Sequence, residues 1–207
     1  MNHKELFSEN RLKEYKNEQE HFNNFFFSQS LTAKLGIIEI VTRNRVYEIL
    51  NKKNKLHFLK NSDETKIEDY DIFVSKQTLG FWTKIIRNAN IQNDILNLNN
   101  FDFRKYAEAN SRCRLRKYEK VSVCYDLLKT IRNRAFHFEN LYKTRNIKKN
   151  ELIIKAPRII TKIGNEIIGI MPNQIENFLD DILDCFDKEL KNEIRKVGGN
   201  YKGPPLT

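Results

Sequence analysis

Seven glycines and four prolines in 207 residues leave this chain few points at which to turn sharply. A β-rich architecture needs such residues at its hairpins and corners, and a phosphate-cradling loop needs glycines in clusters. Their scarcity disfavours a loop-rich or all-β architecture, and with the helical spacing of the apolar residues the expected class is all-α, a helical bundle with one small β-hairpin. The length is that of one domain and is enough to bury a core without disulfides or a structural metal. With 40% hydrophobic and 31% charged residues, the composition is that of a soluble globular protein.

The charge balance narrows the partners. Lys and Arg total 37 against 27 Asp and Glu, a formal surplus of +10. Such a surplus favours a polyanion, nucleic acid first. An anionic membrane surface fits less well, because no amphipathic Lys/Trp helix stands out, and no 18-residue apolar run could span a bilayer. The first ten residues, MNHKELFSEN, lack the apolar core of a secretory signal. Cys113, Cys124 and Cys185 are odd in number and form no CxxC, so neither a disulfide frame nor a zinc site is expected. A reducing, cytoplasmic setting is the expectation, with no metal and no cofactor.

Apolar spacing predicts helices over 4–27 and 31–51, the second capped by Ser28 or Ser30, and central because it is apolar on most sides. A further helix, capped by Ser75, carries Phe81, Trp82, Ile85 and Ile86. Residues 52–71 read as irregular and 91–100 as an Asn-rich connector. The longest helix runs over 116–142. Residues 143–158 read as a basic loop. The segments 159–163 and 167–171, flanking Gly164-Asn165, read as a β-hairpin, and a last helix over 172–197 follows. The expected organisation is therefore a bundle over 1–143. Basic loop, hairpin and C-terminal helix over 144–197 pack on the same domain, and 198–207 form a disordered tail.

The segment that carries chemistry is Ile131-Arg132-Asn133-Arg134-Ala135-Phe136-His137-Phe138-Glu139-Asn140. At ~100° per residue, Cys124, Leu127, Leu128, Ile131, Ala135 and Phe138 form one core-facing stripe. His137 and Asn133 fall on the far side, Arg132 at the flank, and Phe136 away from the core. An exposed phenylalanine among Arg132, Asn133 and His137 implies that something covers this face, and a second copy of the chain is the simplest cover.

RNA brings its own nucleophile, the 2′-hydroxyl. Its cleavage needs that proton removed, the charge on the crowded phosphate neutralised, and a proton supplied to the leaving 5′ oxygen. A histidine can act as base or acid. An arginine can hold the phosphate oxygens. Asn133, one turn before His137, can orient the ring or the substrate. One imidazole cannot readily do both proton transfers, and a dimer placing two Arg132/His137 sets in one cleft removes the difficulty.

These residues resemble a known family. Arg132-Asn133-x3-His137 is similar to the Arg-polar-x3-His motif of HEPN domains, and RNRAFHFENL resembles the corresponding segment of their Abi-like (abortive infection) branch. Residues 35–50, LGIIEIVTRNRVYEIL, resemble that branch's second helix. Thr78-Leu79-Gly80-Phe81-Trp82 and Asn10-Arg11-Leu12-x2-Tyr15 also fit, so the resemblance spans roughly residues 8–142 in order. It implies a helical bundle that dimerises and a metal-independent endoribonuclease, a hydrolase leaving 2′,3′-cyclic phosphate ends. The setting it implies is bacterial antiviral defence or a toxin–antitoxin system, in which an antitoxin protein or a regulatory RNA is the kind of controlling partner. The alternative is a non-cleaving RNA-binding module that holds a regulatory RNA or a partner.

Around the catalytic candidates Arg132, Asn133 and His137 stand others. Glu39 and Arg43, spaced i, i+4, are either a buried ion pair or, with Asn44, a set that positions the motif helix. Arg116 and Lys117, with Arg112, Arg114 and Lys120 near them, either track RNA phosphates or form a solvated face. Arg134 joins the candidate RNA contacts. Asp180, Asp181, Asp184 and Asp187 read as a solvated face, and Trp82 as core.

Overall fold

The computed structural model describes residues 3–59, 67–99, 101–110, 114–149 and 151–200. The sequence readings that rest on Arg112, Cys113 and residues 60–66 and 201–207 lie outside them. Two short helices, α1 (His3–Phe7) and α2 (Glu9–Leu12), lead into α3 (Glu18–Lys52), and a 3-10 turn (Leu56–Leu59) follows. Then come α4 (Tyr70–Lys76), α5 (Leu79–Asn88), α6 (Gln92–Ile95), a 3-10 turn (Phe103–Tyr106) and α7 (Lys117–Phe136). The chain continues through β1 (Thr144–Lys149), β2 (Leu152–Pro157), β3 (Ile159–Ile163) and β4 (Glu166–Ile170). It ends in a 3-10 turn (Pro172–Gln174), α8 (Ile175–Phe186) and α9 (Leu190–Asn200). The protein is thus mostly helical, with two small antiparallel hairpins.

The 35-residue α3 is the axis of the fold, about 52 Å long at ~1.5 Å per residue. Where the sequence predicts two helices with a serine cap between them, the structure has one. Asn17 is the cap, its side chain accepting from the Glu20 amide at 2.8 Å. The Ser30 hydroxyl instead donates back to the Phe27 carbonyl at 2.9 Å, a bond that a continuous helix tolerates. The buried stripe His21, Asn24, Ser28, Leu31, Leu35, Ile38 passes straight through the expected break. Leu31, Leu35, Ile38, Val46 and Leu50 join Trp82, Ile86, Leu127, Leu128 and Ile131 in one core. At its centre the hydroxyls of Thr42 and Tyr125, both buried, lie 3.1 Å apart.

Other boundaries also moved. The expected Ser75 cap is the last turn of α4, where its hydroxyl donates to the Ile72 carbonyl. Thr78 caps α5, accepting from the Phe81 amide, because Gln77 and Thr78 are extended. Residues 144–157, expected as a basic loop, form the hairpin β1–β2, in register from Thr144↔Pro157 to Lys149↔Leu152. Ile147, Ile153 and Ile154 supply its β-branched character, and Glu151 takes the positive φ (67°) that closes it. The second hairpin forms as expected, with Gly164 at φ 55° in its turn. The last helix is divided, α8 ending at Phe186 as Asp187 becomes extended. Leu190 and Ile194 anchor α9 on the core, and it continues through residues 198–200, which the sequence assigned to the tail.

The aspartates of α8 are not a solvated face. Asp180 is buried and meets Lys34 at 2.8 Å and Arg195 at 2.7 Å. Asp181 accepts from Tyr106 and pairs with Lys105, and Asp184 pairs with Lys191. These contacts tie α8 to α3, to the 3-10 turn before α7 and to α9.

β3 lies along α7, so the second hairpin braces the motif helix. The Thr161 hydroxyl donates to Asp126 of α7 at 3.2 Å, and Arg87 of α5 pairs with the same carboxylate. Buried Asn110 clamps the hairpin from below, accepting from the Gly169 amide and donating to the Gly169 carbonyl, both at 2.9 Å. Residue 169 must be glycine, since a Cβ there would meet Pro157 Cγ at 2.4 Å and the Ile159 carbonyl at 2.9 Å. Gly169→Ala is therefore expected to destabilise the fold by ~1–3 kcal/mol, the usual range for overpacking, measured as a lower urea midpoint.

Candidate active site

α7 presents the motif at its C-terminal end. Cys124, Leu127, Leu128, Ile131 and Ala135 are buried as the helical arithmetic predicts, while Asn133, Phe136 and His137 are exposed. The helix stops earlier than expected, at Phe136, with His137 as its cap residue. Phe138 is therefore not in the core stripe. It sits in the left-handed region at φ 52°, 41% exposed, with its ring 5.2 Å from that of Phe25. The amide of Phe138 bonds to the Ala135 carbonyl and that of Glu139 to the Arg134 carbonyl, at 3.1 and 2.8 Å. This is the Schellman pairing, normally closed by a glycine. A phenylalanine there costs ~1–2 kcal/mol, which its surroundings must offset.

They do so through the Phe138 carbonyl. Arg11 Nη2 donates to it at 2.6 Å, and the Tyr15 hydroxyl and Asn24 Nδ2 at 3.4 Å. Asn24, buried in α3, also donates to the Glu139 carbonyl at 3.0 Å and accepts from the Leu141 amide at 2.9 Å. Asn140 Nδ2 reaches back to the Glu14 carbonyl at 2.5 Å. The N-terminal segment and α3 thus set where His137 stands.

Arg11 is itself held by buried His21, whose Nε2 accepts from Arg11 Nε at 3.1 Å. That contact fixes the neutral ring with its proton on Nδ1. Burial first, and then the Arg11 charge, push the His21 pKa below its ordinary 6.5. His21 is a core histidine enclosed by Phe7, Tyr15, Phe22 and Phe25, whereas the His137 ring makes no hydrogen bond among the described residues.

Arg132 is anchored by one edge. Its Nε meets Glu39 Oε2 at 3.4 Å, one terminal nitrogen reaches Asn133 Oδ1 at 3.5 Å, and the guanidinium lies 4.8 Å above the Phe136 ring. The other terminal nitrogen has no partner among the described residues. The second Glu39 oxygen accepts from the Leu79 amide at 2.7 Å, at the start of α5. One carboxylate therefore joins α3, α5 and α7.

The expected i, i+4 pair of Glu39 with Arg43 does not form, because Glu39 turns to Arg132 and Leu79. Arg43 instead donates to the Ser75 carbonyl at 3.2 Å, and its buried Nε lacks a partner among the described residues. Asn44 is exposed on α3, and no contact connects it to the motif among the described residues. Arg116 and Lys117 stand at the opposite end of the 20-residue α7, about 30 Å from His137 at ~1.5 Å per residue. Arg116 pairs with Glu119 at 2.9 Å and covers the Tyr118 ring. Arg134 lies near the motif but faces Glu139, at 3.8 Å, and a recess formed with Arg11, Tyr15, Lys143 and Arg158.

Sequence reasoning assigned no role to Asn24, Lys143 or Arg158. For Asn24 a signal existed, a polar residue on an otherwise buried stripe, which needs a partner. Burial raises the Cys124 thiol pKa and pushes that of Cys185 up to about 11, so neither is an activated nucleophile. Among the described residues no three His, Cys, Asp or Glu side chains gather as a ligand cluster, and no helix is long and apolar enough to cross a membrane.

Comparison with protein-family models, with curated proteins and with solved structures gave no match. The geometry alone yields a test of how the site is held. Asn24→Ala strands the buried Leu141 amide and loosens Glu139, and is expected to cost ~2 kcal/mol. For a chain of this size the melting temperature should fall by ~4–8 °C.

Proposed function

We propose that the protein is a metal-independent endoribonuclease of the HEPN type, acting as a dimer in phage defence or as a toxin. The observation that carries this reading is the outward set on the last turn and a half of α7. Arg132 is braced by Glu39 yet keeps an unengaged terminal nitrogen, and Asn133, Phe136 and His137 are exposed beside it. Four sequence segments that resemble the Abi-like branch also meet here. Arg11 and Tyr15 hold the helix end, Glu39 holds Arg132, and the amide of Leu79 holds Glu39.

In this reading the RNA 2′-hydroxyl gives its proton to one His137 imidazole and its oxygen attacks the adjacent phosphorus. The bond from phosphorus to the 5′ oxygen breaks, and that oxygen takes a proton from the partner's protonated imidazole. The products are a 2′,3′-cyclic phosphate and a free 5′-hydroxyl. Arg132 holds the non-bridging oxygens, where negative charge accumulates in the transition state. Asn133 orients the ring or the phosphate.

A second copy would cover an apolar face that flanks the motif. Ile40, next to Glu39, is 46% exposed and Phe136 is 43% exposed. One turn before Ile40 the α3 backbone is open at Gly36, where a Cβ would meet nothing within 4 Å. A small residue one turn from an exposed apolar side chain suits close approach of another helix.

The test is end-group analysis of labelled single-stranded RNA incubated with the protein in EDTA. Cyclic phosphate ends are expected. His137→Ala should lower cleavage by ~10²–10⁴-fold, the usual share of a general acid–base, with helicity unchanged by circular dichroism. Equal cleavage by this variant would remove His137 from the mechanism, and binding without cleavage would favour the non-cleaving RNA module.

A further inference from the structure

Two adjoining recesses open beside the end of α7. The smaller, about 210 Å³, lies between Arg11, Arg134, Lys143 and Arg158. The larger, about 510 Å³, continues past Lys143 to Lys16, Tyr142 and Lys155. They share Glu14, Tyr15, Asn140 and Lys143, so they form one groove. Its walls are the turn after α2, the segment that follows α7, and the β2 strand with Arg158 beyond it.

The groove is a cationic channel. Six Lys and Arg line it against three carboxylates, Glu14, Glu20 and Glu139. Each carboxylate already faces a cation. Glu14 pairs with Lys143, Glu20 lies 3.8 Å from Lys16, and Glu139 3.8 Å from Arg134. Lys155 and Arg158 are exposed and make no hydrogen bond or ion pair among the described residues, although the Arg158 charge acts on Glu14 and helps hold its pKa down. Arg11 is occupied by His21 and the Phe138 carbonyl, so it contributes field more than contact. The groove cations left without an ion pair among the described residues are therefore Arg11, Lys155 and Arg158, the last two on β2 and just beyond it.

A small anion is held by donors that converge on one point. Here the cations are spread along two recesses in tandem, which fits an extended polyanion. Tyr142 adds a half-buried ring to the wall of the larger recess, packed on Phe27 at 5.3 Å. A charged groove with an aromatic wall is how sequence-tolerant binders track a single strand. Arg134 and Glu139, which line the smaller recess, bracket His137 in the chain, and His137 itself lines neither recess.

We propose that this groove holds the single-stranded RNA that flanks the cut phosphate, with Lys155 and Arg158 as phosphate ligands. This rests on the RNA reading given above and assigns a purpose to the first hairpin that the motif helix alone does not. The hairpin is a wall of the substrate channel.

The experiment uses the His137→Ala protein, so that RNA stays intact, and a labelled 12-nucleotide single-stranded RNA followed by fluorescence anisotropy across a salt series. Adding Lys155→Ala and Arg158→Ala should weaken binding and reduce the slope of log affinity against log salt by about 1.4, at ~0.7 per lost contact. In the protein with His137 intact, the same pair should raise KM and leave kcat within about twofold, as loss of uniform binding does. An unchanged slope and affinity, or no RNA binding at low salt, overturns the proposal. The two readings fail separately. Cleavage with an unchanged slope removes the groove and keeps the nuclease, whereas a reduced slope in a protein that never cleaves keeps the groove and removes the nuclease.

Discussion

The structure turns on a single carbonyl oxygen, that of Phe138, and the three donors that converge on it. α7 must stop just after His137, and neither a glycine nor a proline is there to stop it. A phenylalanine is forced into the left-handed region, and Arg11, Tyr15 and Asn24 hold it there. Each donor comes from elsewhere in the chain. Arg11 and Tyr15 belong to the N-terminal segment and Asn24 to α3. The end of the motif helix is therefore a tertiary structure, set by contacts more than a hundred residues away in sequence. Buried, neutral His21 completes the arrangement, since a protonated ring would set one cation against the guanidinium of Arg11.

Glu39 does the same for the other half of the motif. Its carboxylate satisfies an orphan amide at the start of α5 with one oxygen and Arg132 with the other. A half-buried charge is best retained where it is bonded on both sides, and removing either partner leaves the remainder costly. Arg132 is thereby held at one edge and stacked on Phe136, with a terminal nitrogen left for a ligand. The histidine and the arginine are thus positioned by separate supports, one built on α3 and the N-terminal segment, the other on α3 and α5.

Much of this was legible in the residues. The helical bundle, the exposure of Asn133, Phe136 and His137, the buried Trp82 and the Gly164 hairpin follow from periodicity and turn chemistry. What was missed has physical reasons. Ser28 and Ser30 look like caps, but a serine hydroxyl can bond back within a helix, and the buried stripe of α3 shows no interruption. Glu39 and Arg43 have ideal local spacing, yet the tertiary partners Arg132 and Leu79 won. Residues 144–157 carry so many charges that the strand-forming character of their three isoleucines does not stand out in the sequence. Periodicity runs α7 on to residue 142 because position 138 is a phenylalanine, which does not mark a left-handed stop. The α8 aspartates look solvated from local spacing because their cations, Lys34, Lys105 and Arg195, lie on other elements.

The central claim is that two chains share one cleft, each giving an Arg132/His137 set to the same phosphodiester. Subunit mixing tests it most directly. Wild-type protein is combined with increasing amounts of the His137→Ala chain, allowed to exchange, and assayed for cleavage per wild-type chain. A shared cleft predicts that this specific activity falls in proportion to the wild-type fraction, because mixed dimers lack one of the two imidazoles. A constant activity per wild-type chain would mean that each chain works alone and would contradict the account.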